Sequence, residues 1–381
     1  MARTSRASAL FRRVPYNLAA ALILVAAHSG VARAQVGDHL LVKGLLDMGY
    51  FKTDPGSVLL SKNGGDGASV GQLRLMAAAD FTAGLQGFFL GSVEGVKGSD
   101  EKATQFYLDE TFVRYSFEGR SHVMVDLGKV ALPFGNFSKR NFSSVNPLIG
   151  EPDGYNVSYP LGLVVSGRAS KLDYRFAMLD KPPANEKYVP KPGRAIRPAF
   201  ALGFTPMIGM RVGGYFTAGP YLGSEVEPAL PAGAGWKDFG ETVFGIEAEY
   251  SRGYFELNAD VAFSSYEVPT HSGTSRGQAW FIEPKYSWTP RFFTALRLER
   301  NDYPYIQPVS SAFWIAQNAL FYDVEVGAGW RFTPDLIVKA SYRKDQWEVD
   351  DSMQAYLPDG YSAAVQLSYS FNVNSWLERP K

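Results

Sequence analysis

Between residues 321 and 332 the chain alternates strictly. Tyr322, Val324, Val326, Ala328, Trp330 and Phe332 take one set of positions, and Asp323, Glu325, Gly327, Gly329 and Arg331 take the other. Successive side chains of a β-strand point to opposite faces, so this segment predicts a strand with one apolar and one charged face. The period recurs. Phe255, Leu257, Ala259, Val261 and Phe263 alternate with Glu256, Asn258 and Asp260, and Phe244, Ile246, Ala248 and Tyr250 alternate with Glu247 and Glu249. Leu336, Val338, Ala340 and Tyr342 alternate with Lys339, Ser341 and Arg343. The spacing predicts strands over 40–51, 71–81, 84–95, 104–117, 122–131, 161–168, 171–179 and 197–205. It predicts eight more over 209–217, 242–250, 254–264, 277–288, 292–301, 321–332, 336–345 and 361–371. Short turns at 81–84, 118–121, 169–171, 205–208, 251–253, 289–291 and 333–335 join these in pairs, and long polar segments separate the pairs. Seven short turns alternating with eight long loops give sixteen strands with both ends of the chain on one side.

Alternation also occurs in soluble sandwiches, so other features have to decide between the two. Aromatic residues gather at the turn ends of the strands: Phe81, Tyr115, Phe117, Tyr250, Tyr254, Trp288, Phe292, Trp330 and Phe332. Such rings are favoured at a membrane–water interface, where one part is apolar and another wet. The last strand sets Tyr361, Val365, Leu367, Tyr369 and Phe371 against Ser362, Gln366, Ser368 and Ser370, and resembles the C-terminal strand of bacterial outer-membrane proteins. Such chains commonly end at the Phe, whereas here residues 372–381 follow as a tail. In hydrocarbon no strand edge can leave its N–H and C=O groups unpaired, so the strands must close on themselves. The predicted fold is therefore all-β, a closed antiparallel transmembrane β-barrel of about sixteen strands over 35–371, with short periplasmic turns and long extracellular loops.

The first 34 residues read separately. Arg3, Arg6, Arg12 and Arg13 form a basic region, Leu18 to Ala27 an apolar one, and Ala32-Arg33-Ala34 an A-x-A site, which together predict a signal peptide cleaved after Ala34. Its removal leaves 33 Lys+Arg against 38 Asp+Glu, a net charge of −5. With no basic stripe, nucleic acid is excluded as a partner. The chain has no cysteine, which excludes disulfides and thiolate metal sites and calls for no cofactor.

The longest loop follows the fifth strand, over 132–160, and is rich in Phe134, Phe137, Phe142, Val145, Leu148 and Ile149. Long ordered loops are usually functional. This one either folds into the lumen or serves as an outer cap or oligomer contact. Folded inward, it would bring Lys139 and Arg140 to a constriction, with Glu151 and Asp153 nearby. At its root, Gly128-Lys129-Val-Ala-Leu-Pro133-Phe134-Gly135 resembles the G-x-x-x-x-P-F-G segment of sixteen-stranded porins of the phosphate-selective O/P type and of Legionella-type siderophore porins. That resemblance implies a porin, possession of a third loop that folds inward, and a homotrimer. The arginine ladder and lysine cluster of the phosphate family have no clear counterpart here, so the resemblance leaves the solute open.

Parity places Arg74, Arg114, Arg168, Arg175 and Arg211 on the lumen face of strands two to nine, and Glu247, Glu249, Glu256, Asp260, Asp323 and Glu325 on that of strands ten, eleven and fourteen. A basic wall facing an acidic one would impose a transverse field on passing solutes. Alternatively these charges pair with their neighbours, because Asp80, Glu94, Glu110, Asp126 and Asp173 lie in the basic half, and Arg297, Arg331, Lys339 and Arg343 in the other. The histidines after Ala34 are His39, His122 and His271, none of them mid-strand beside a serine, so no hydrolase triad is read and the chain is not taken for an enzyme. Asn63-Gly-Gly-Asp66-Gly reads as a Gly-rich loop tip in preference to a Ca²⁺ loop.

The expectation is an outer-membrane porin embedded in lipid, passing small hydrophilic solutes and ions. Loop 132–160 would constrict it, with Lys139, Arg140, Arg114, Arg168 and Arg175 opposite Glu247, Glu256 and Glu325. The alternatives are a channel specific for phosphate, another anion or a siderophore, and a scaffold barrel holding a partner, which requires a wide lumen with little loop infill.

Overall fold

The computed structural model describes residues 39–54, 68–97, 105–117, 122–154, 158–183, 189–349 and 357–374. The expected signal peptide over 1–34, the Gly-rich segment at 63–67 and the end of the tail lie outside these residues. Sixteen strands form one closed antiparallel barrel. They are β1 (Leu40–Thr53), β2 (Ala68–Thr82), β3 (Leu85–Lys97), β4 (Gln105–Ser116), β5 (Met124–Lys129), β6 (Leu161–Ala169), β7 (Leu172–Leu179) and β8 (Arg197–Met207). The circuit continues with β9 (Met210–Pro220), β10 (Gly240–Arg252), β11 (Phe255–Glu267), β12 (Thr274–Ser287), β13 (Phe292–Ser310), β14 (Phe313–Thr333), β15 (Leu336–Glu348) and β16 (Gly360–Asn372). Each strand pairs with its neighbours in sequence, and β16 closes on β1 from Lys43↔Asn372 to Thr53↔Ser362. The ladder runs one residue past Phe371, and beyond it the Asn374 side chain accepts from Val42 N–H at 2.8 Å.

One hairpin is much taller than its sequence suggests. Alternation fades after Asn301, and Pro304 and Pro308 weaken a strand reading because neither has an N–H for a ladder. The segment 302–320 was therefore expected as a loop. Instead, β13 and β14 pair up to Ser310↔Phe313, with a register shift after Pro308, and turn over in two residues. Burial above the barrel rim overrides the local signal. Trp314 and Ile306 are fully buried with Tyr221, Leu222, Val226 and Leu230 of the β9–β10 loop, and the Trp314 indole donates to Ala229 O at 2.8 Å.

The outer surface is apolar, with Met48, Leu127, Leu163, Phe176, Leu202, Phe244, Val324 and Val326 exposed. Phe81, Tyr115, Phe117, Tyr254, Trp288, Trp330 and Phe332 are exposed at the short-turn end, the expected lower girdle. On β14 the outer face runs ten residues from Tyr322 to Phe332, and a strand rising ~3.4 Å per residue with ~40° tilt makes this about 26 Å, the height of a barrel's lipid-facing band.

Where β5 meets the long loop, Gly128 is the residue that permits the geometry. Its φ is +144°, and a Cβ there would lie 2.3 Å from Thr111 O and 2.8 Å from Phe112 Cα, both backbone atoms. Gly128→Val should cost about 1–3 kcal/mol from strained backbone alone, before the clash is counted. Heat-modifiability on gels should show a smaller folded fraction after refolding, and a wild-type yield would refute this account of the glycine.

Candidate pore constriction

The barrel interior is neither empty nor simply polar. Val130 N–H and Leu132 N–H donate to Pro160 O and Ser158 O at 3.0 and 3.1 Å, so the loop's two legs extend the β5–β6 pairing before turning inward. Leu132 and Phe134 then pack on Val164, Ala177, Leu179, Ala199, Tyr215, Val243 and Ala262, an apolar inner wall running from β6 to β11. Phe134 and Tyr215 bring their ring centroids within 4.9 Å. Burying this surface is the main attraction holding the first leg, since apolar area removed from water contributes roughly 25 cal/mol per Å².

Next comes a polar section. Asn136 donates to the carbonyls of Ala248 and Ala259 at 3.2 and 3.4 Å. Lys139 Nζ lies 3.3 Å from Glu249, and Arg140 Nη1 lies 2.6 Å from Glu283. The Phe137 ring sits near two guanidiniums, Arg140 at 5.8 Å and Arg297 at 5.7 Å. The loop then turns toward β1 and β2, where Arg74 donates to Asn141 O at 3.1 Å and the Ser143 hydroxyl donates to Asp47. Asn141 also donates to the Tyr159 hydroxyl at 2.9 Å, and burial pushes that phenol up to about 12, so it stays neutral.

Residues 146–154 are fastened to β13–β15 chiefly through backbone groups. Lys339 Nζ donates to Asn146 O and Leu148 O at 3.0 and 2.8 Å. Arg297 donates to Gly150 O at 2.9 Å, and Arg343 to Glu151 O at 3.2 Å. In return, Ile149 N–H and Gly150 N–H donate to Glu325 at 3.2 and 3.0 Å, and Gly154 N–H donates to Glu299 at 3.0 Å. Leu148 is fully buried against Gly327, where a Cβ would come within 2.7 Å of it. Behind the loop lies a buried charge network. Arg297 pairs with Glu283 at 2.6 Å and Glu325 at 3.3 Å, and Arg343 pairs with Asp323 at 3.2 Å and Asp345 at 2.7 Å.

Register places the six wall residues expected to border the pore, Arg114, Arg168, Arg175, Glu247, Glu256 and Glu325, on the inner face. Arg114 pairs with Asp126 at 2.7 Å. Arg168 donates to Ser170 O at 3.1 Å beside a short turn, and Arg175 is half-buried opposite Ser166. Glu247 accepts from Arg211, which also holds Asp173 at 2.7 Å. Glu256 pairs with Lys285 at 2.7 Å, and Glu325 is enclosed behind the loop. Five of these six find partners among adjacent or near-adjacent groups, so the basic and acidic residues mix locally and do not face each other as two bare walls.

Two spaces flank the loop. Behind it, a cavity of about 100 Å³ is bounded largely by Leu132, Phe134, Phe137, Tyr215 and Tyr266. In front, about 360 Å³ opens between the second leg and β1–β3 and β16, lined by Asp47, Gln72, Arg74, Glu94, Glu151, Asp153 and Gln366 among others. Glu151 and Asp153 are where the sequence suggested, near the loop's inner end. Asp47, Gln72 and Gln366 were missed. Their signal was a polar residue alternating with Leu46, Met48 and Tyr50 in β1, and with small or apolar residues in β2 and β16. Asp47 is only 4% exposed, and its Oδ2 has no hydrogen-bond partner.

A sixteen-strand barrel with an inward-folded third loop and a polar space beside it defines a porin-like architecture. The comparisons agree on the fold. Salmonella typhi OmpF, solved in complex with daunomycin, superposes with a TM-score of 0.58 at 13% identity, covering 87% of this chain and 97% of that one. An anion-selective porin from Comamonas acidovorans gives 0.57 at 11% identity, over 87% and 99%. OmpT, an outer-membrane protein of Vibrio cholerae, gives 0.54 at 10%, over 87% and 97%. No protein-family model matches the sequence, and neither does any curated protein.

Proposed function

We propose that the protein, after cleavage behind Ala34, is an outer-membrane porin that lets small hydrophilic solutes and ions diffuse passively through the barrel. The observation that carries this reading is the third loop. It fills much of the lumen, yet leaves an open polar space of about 360 Å³ along β1–β3 and β16. A barrel built to hold a protein partner would keep its lumen wide, and a nonspecific hole would need no such loop. Conduction requires weak, multiple contacts, which a lining of mixed amides and charges supplies.

Four carboxylates border the passage, Asp47, Glu94, Glu151 and Asp153, against the guanidiniums of Arg74 and Arg343. Arg343 is already matched by Asp323 and Asp345. The balance is acidic and supports cations and cationic or neutral polar solutes over phosphate. The test is single-channel conductance of the refolded mature chain in a planar bilayer under a KCl gradient. Stable steps with a cation-sign reversal potential are expected. An inserted barrel without conductance would remove the porin reading, and an anion-sign potential would favour an anion-specific channel.

Lys139 and Arg140 are proposed to border the constriction from the loop side. Replacing both with Ala should move the reversal potential further toward cations, because two positive charges leave the lumen. An unchanged potential would take them out of the conducting path. The homotrimer implied by resemblance is proposed on the same footing, with native mass spectrometry as its check.

A further inference from the structure

The barrel wall behind the third loop is recessed. Register sets Ala262 of β11 directly beside Ala279 of β12, and in the next inner row Ser264 beside Gly277. Four small residues in two successive rows leave the inner surface low there, above the Asp260–Phe281 row and below Tyr266. The loop does not fill the recess, since Gly135, Ser138 and Ser158 face it with little or no side chain. The result is the partly open cavity of about 100 Å³ between loop and wall.

A porin lumen is ordinarily polar and wet, but this space is walled by rings. Phe134, Phe137, Tyr215, Tyr266 and Tyr303 border it. The tyrosine hydroxyls are already committed. Tyr215 donates to Asp260 and Tyr303 to Asp153, both at 2.8 Å, and Tyr266 bonds to Glu241. Glu241 is only 1% exposed and is matched by Arg197 at 2.9 Å. One polar atom is left over: the Ser158 hydroxyl is buried and has no hydrogen-bond partner among the described residues. An ordered water needs about two to four polar partners, so the space suits ring surface better than water.

We propose that this cavity binds a small uncharged aromatic molecule, a single ring with one hydrogen-bonding substituent. The ring lies among Phe134, Phe137, Tyr215 and Tyr303, and the substituent meets Ser158 Oγ. Size agrees, because an apolar cavity of ~150 Å³ admits benzene and this one is of that order. Shape agrees, because aromatic pairs gain from offset or edge-to-face contact at centroid separations of ~4.5–7 Å, which rings on several sides offer. Charge agrees as well. Glu241 and Asp302 on the margin disfavour an anion, and with Arg197 on Glu241 and Arg300 beside Asp302 neither calls for a cation. The site lies across the loop from the open space along β1–β3, so its occupant braces the first leg without standing in that passage. It goes beyond the porin reading and needs only the inward fold of the loop.

The test is fluorine NMR of 4-fluorophenol titrated with the full mature chain refolded in detergent, with detergent alone as the blank. A protein-dependent shift that saturates is expected. 4-Fluorobenzoate should bind about tenfold more weakly or worse, since its charge would be buried without a partner. S158A should weaken 4-fluorophenol about two- to tenfold, the loss of one hydrogen bond. A262L fills the recess and should abolish saturable binding while the barrel stays heat-modifiable on gels; A279V fills the same recess if A262L does not fold. No saturable shift with wild type, or wild-type affinity in a folded recess-filling variant, overturns the site. 4-Fluorotoluene binding as tightly as 4-fluorophenol, with S158A unchanged, overturns the assigned polar contact. Single-channel step size should be unaltered in saturating 4-fluorophenol, and a blocked step would overturn the placement behind the loop. Binding is read whether or not the barrel conducts, so this proposal and the porin reading fail separately.

Discussion

Arg297→Ala should be the most damaging single substitution in the lumen. The guanidinium is fully buried, pairs with Glu283 and Glu325, and reaches across to Gly150 O and the Asn146 side chain. Removing one partner from a buried ion pair leaves an uncompensated charge, which typically costs about 3–5 kcal/mol. Here two carboxylates lose a cation at once, although Glu283 keeps Arg140. The loop segment 146–150 also loses two of its fastenings and keeps those from Lys339 and Glu325. Two readouts should move together. Chemical unfolding in detergent should shift to lower denaturant, and single-channel records should become noisier as the second leg leaves the β13–β15 wall. A compensated variant, Arg297→Met with Glu325→Gln, should recover much of the stability, because Glu283 remains paired with Arg140 and no carboxylate is left without its cation. It should not recover quiet conductance, since the contacts to the loop are still missing. If Arg297→Ala unfolds like wild type, the network is not what holds the loop.

The same network marks the boundary of what the sequence discloses. Period-two alternation exposed all sixteen strands, because a membrane barrel must keep every outer position apolar and can afford polar ones inside. The parity of Arg114, Glu247 and Glu325 followed from the same constraint. The apolar character of Phe134, Phe137 and Leu148 signalled a loop that needs burial. What parity cannot supply is who meets whom. Arg297 and Glu283 are fourteen residues apart on neighbouring strands, but Arg297 and Gly150 meet only because the chain closes into a cylinder and a loop enters it. Asp47 became visible as a lining residue only once β16 had been closed against β1 and Ser143 brought to it from the loop. The tall β13–β14 hairpin was hidden for another reason. Above the membrane the outer face no longer contacts lipid, so alternation loses its cause, and Trp314 is buried by neighbouring loops instead.

Reversing the charge of the passage should change the sign of its selectivity. Glu94 lies on the β3 wall and Glu151 on the loop, and both line the open space in front of the second leg. Glu94→Lys/Glu151→Lys turns a lining of four carboxylates and two guanidiniums into one of two carboxylates, two guanidiniums and two ammoniums. With Arg343 matched by its own aspartates, the lining passes from net negative to net positive. Field lines in a narrow aqueous channel are confined by its low-dielectric walls, so a few charges govern which ions accumulate there. The reversal potential in a KCl gradient should move from cation sign to anion sign. The change should be large near 0.1 M salt, where the Debye length is about 10 Å, and much weaker near 1 M, where it is about 3 Å. That salt dependence separates a field effect from a steric one, because a lysine that simply narrowed the passage would lower conductance equally at both concentrations. Glu256→Lys, beside the short turns and paired with Lys285, supplies the contrast: it should shift the potential far less. If Glu256→Lys matched the double variant, the selective region would lie in the periplasmic vestibule, and the passage along β1–β3 would lose its claim to be the constriction.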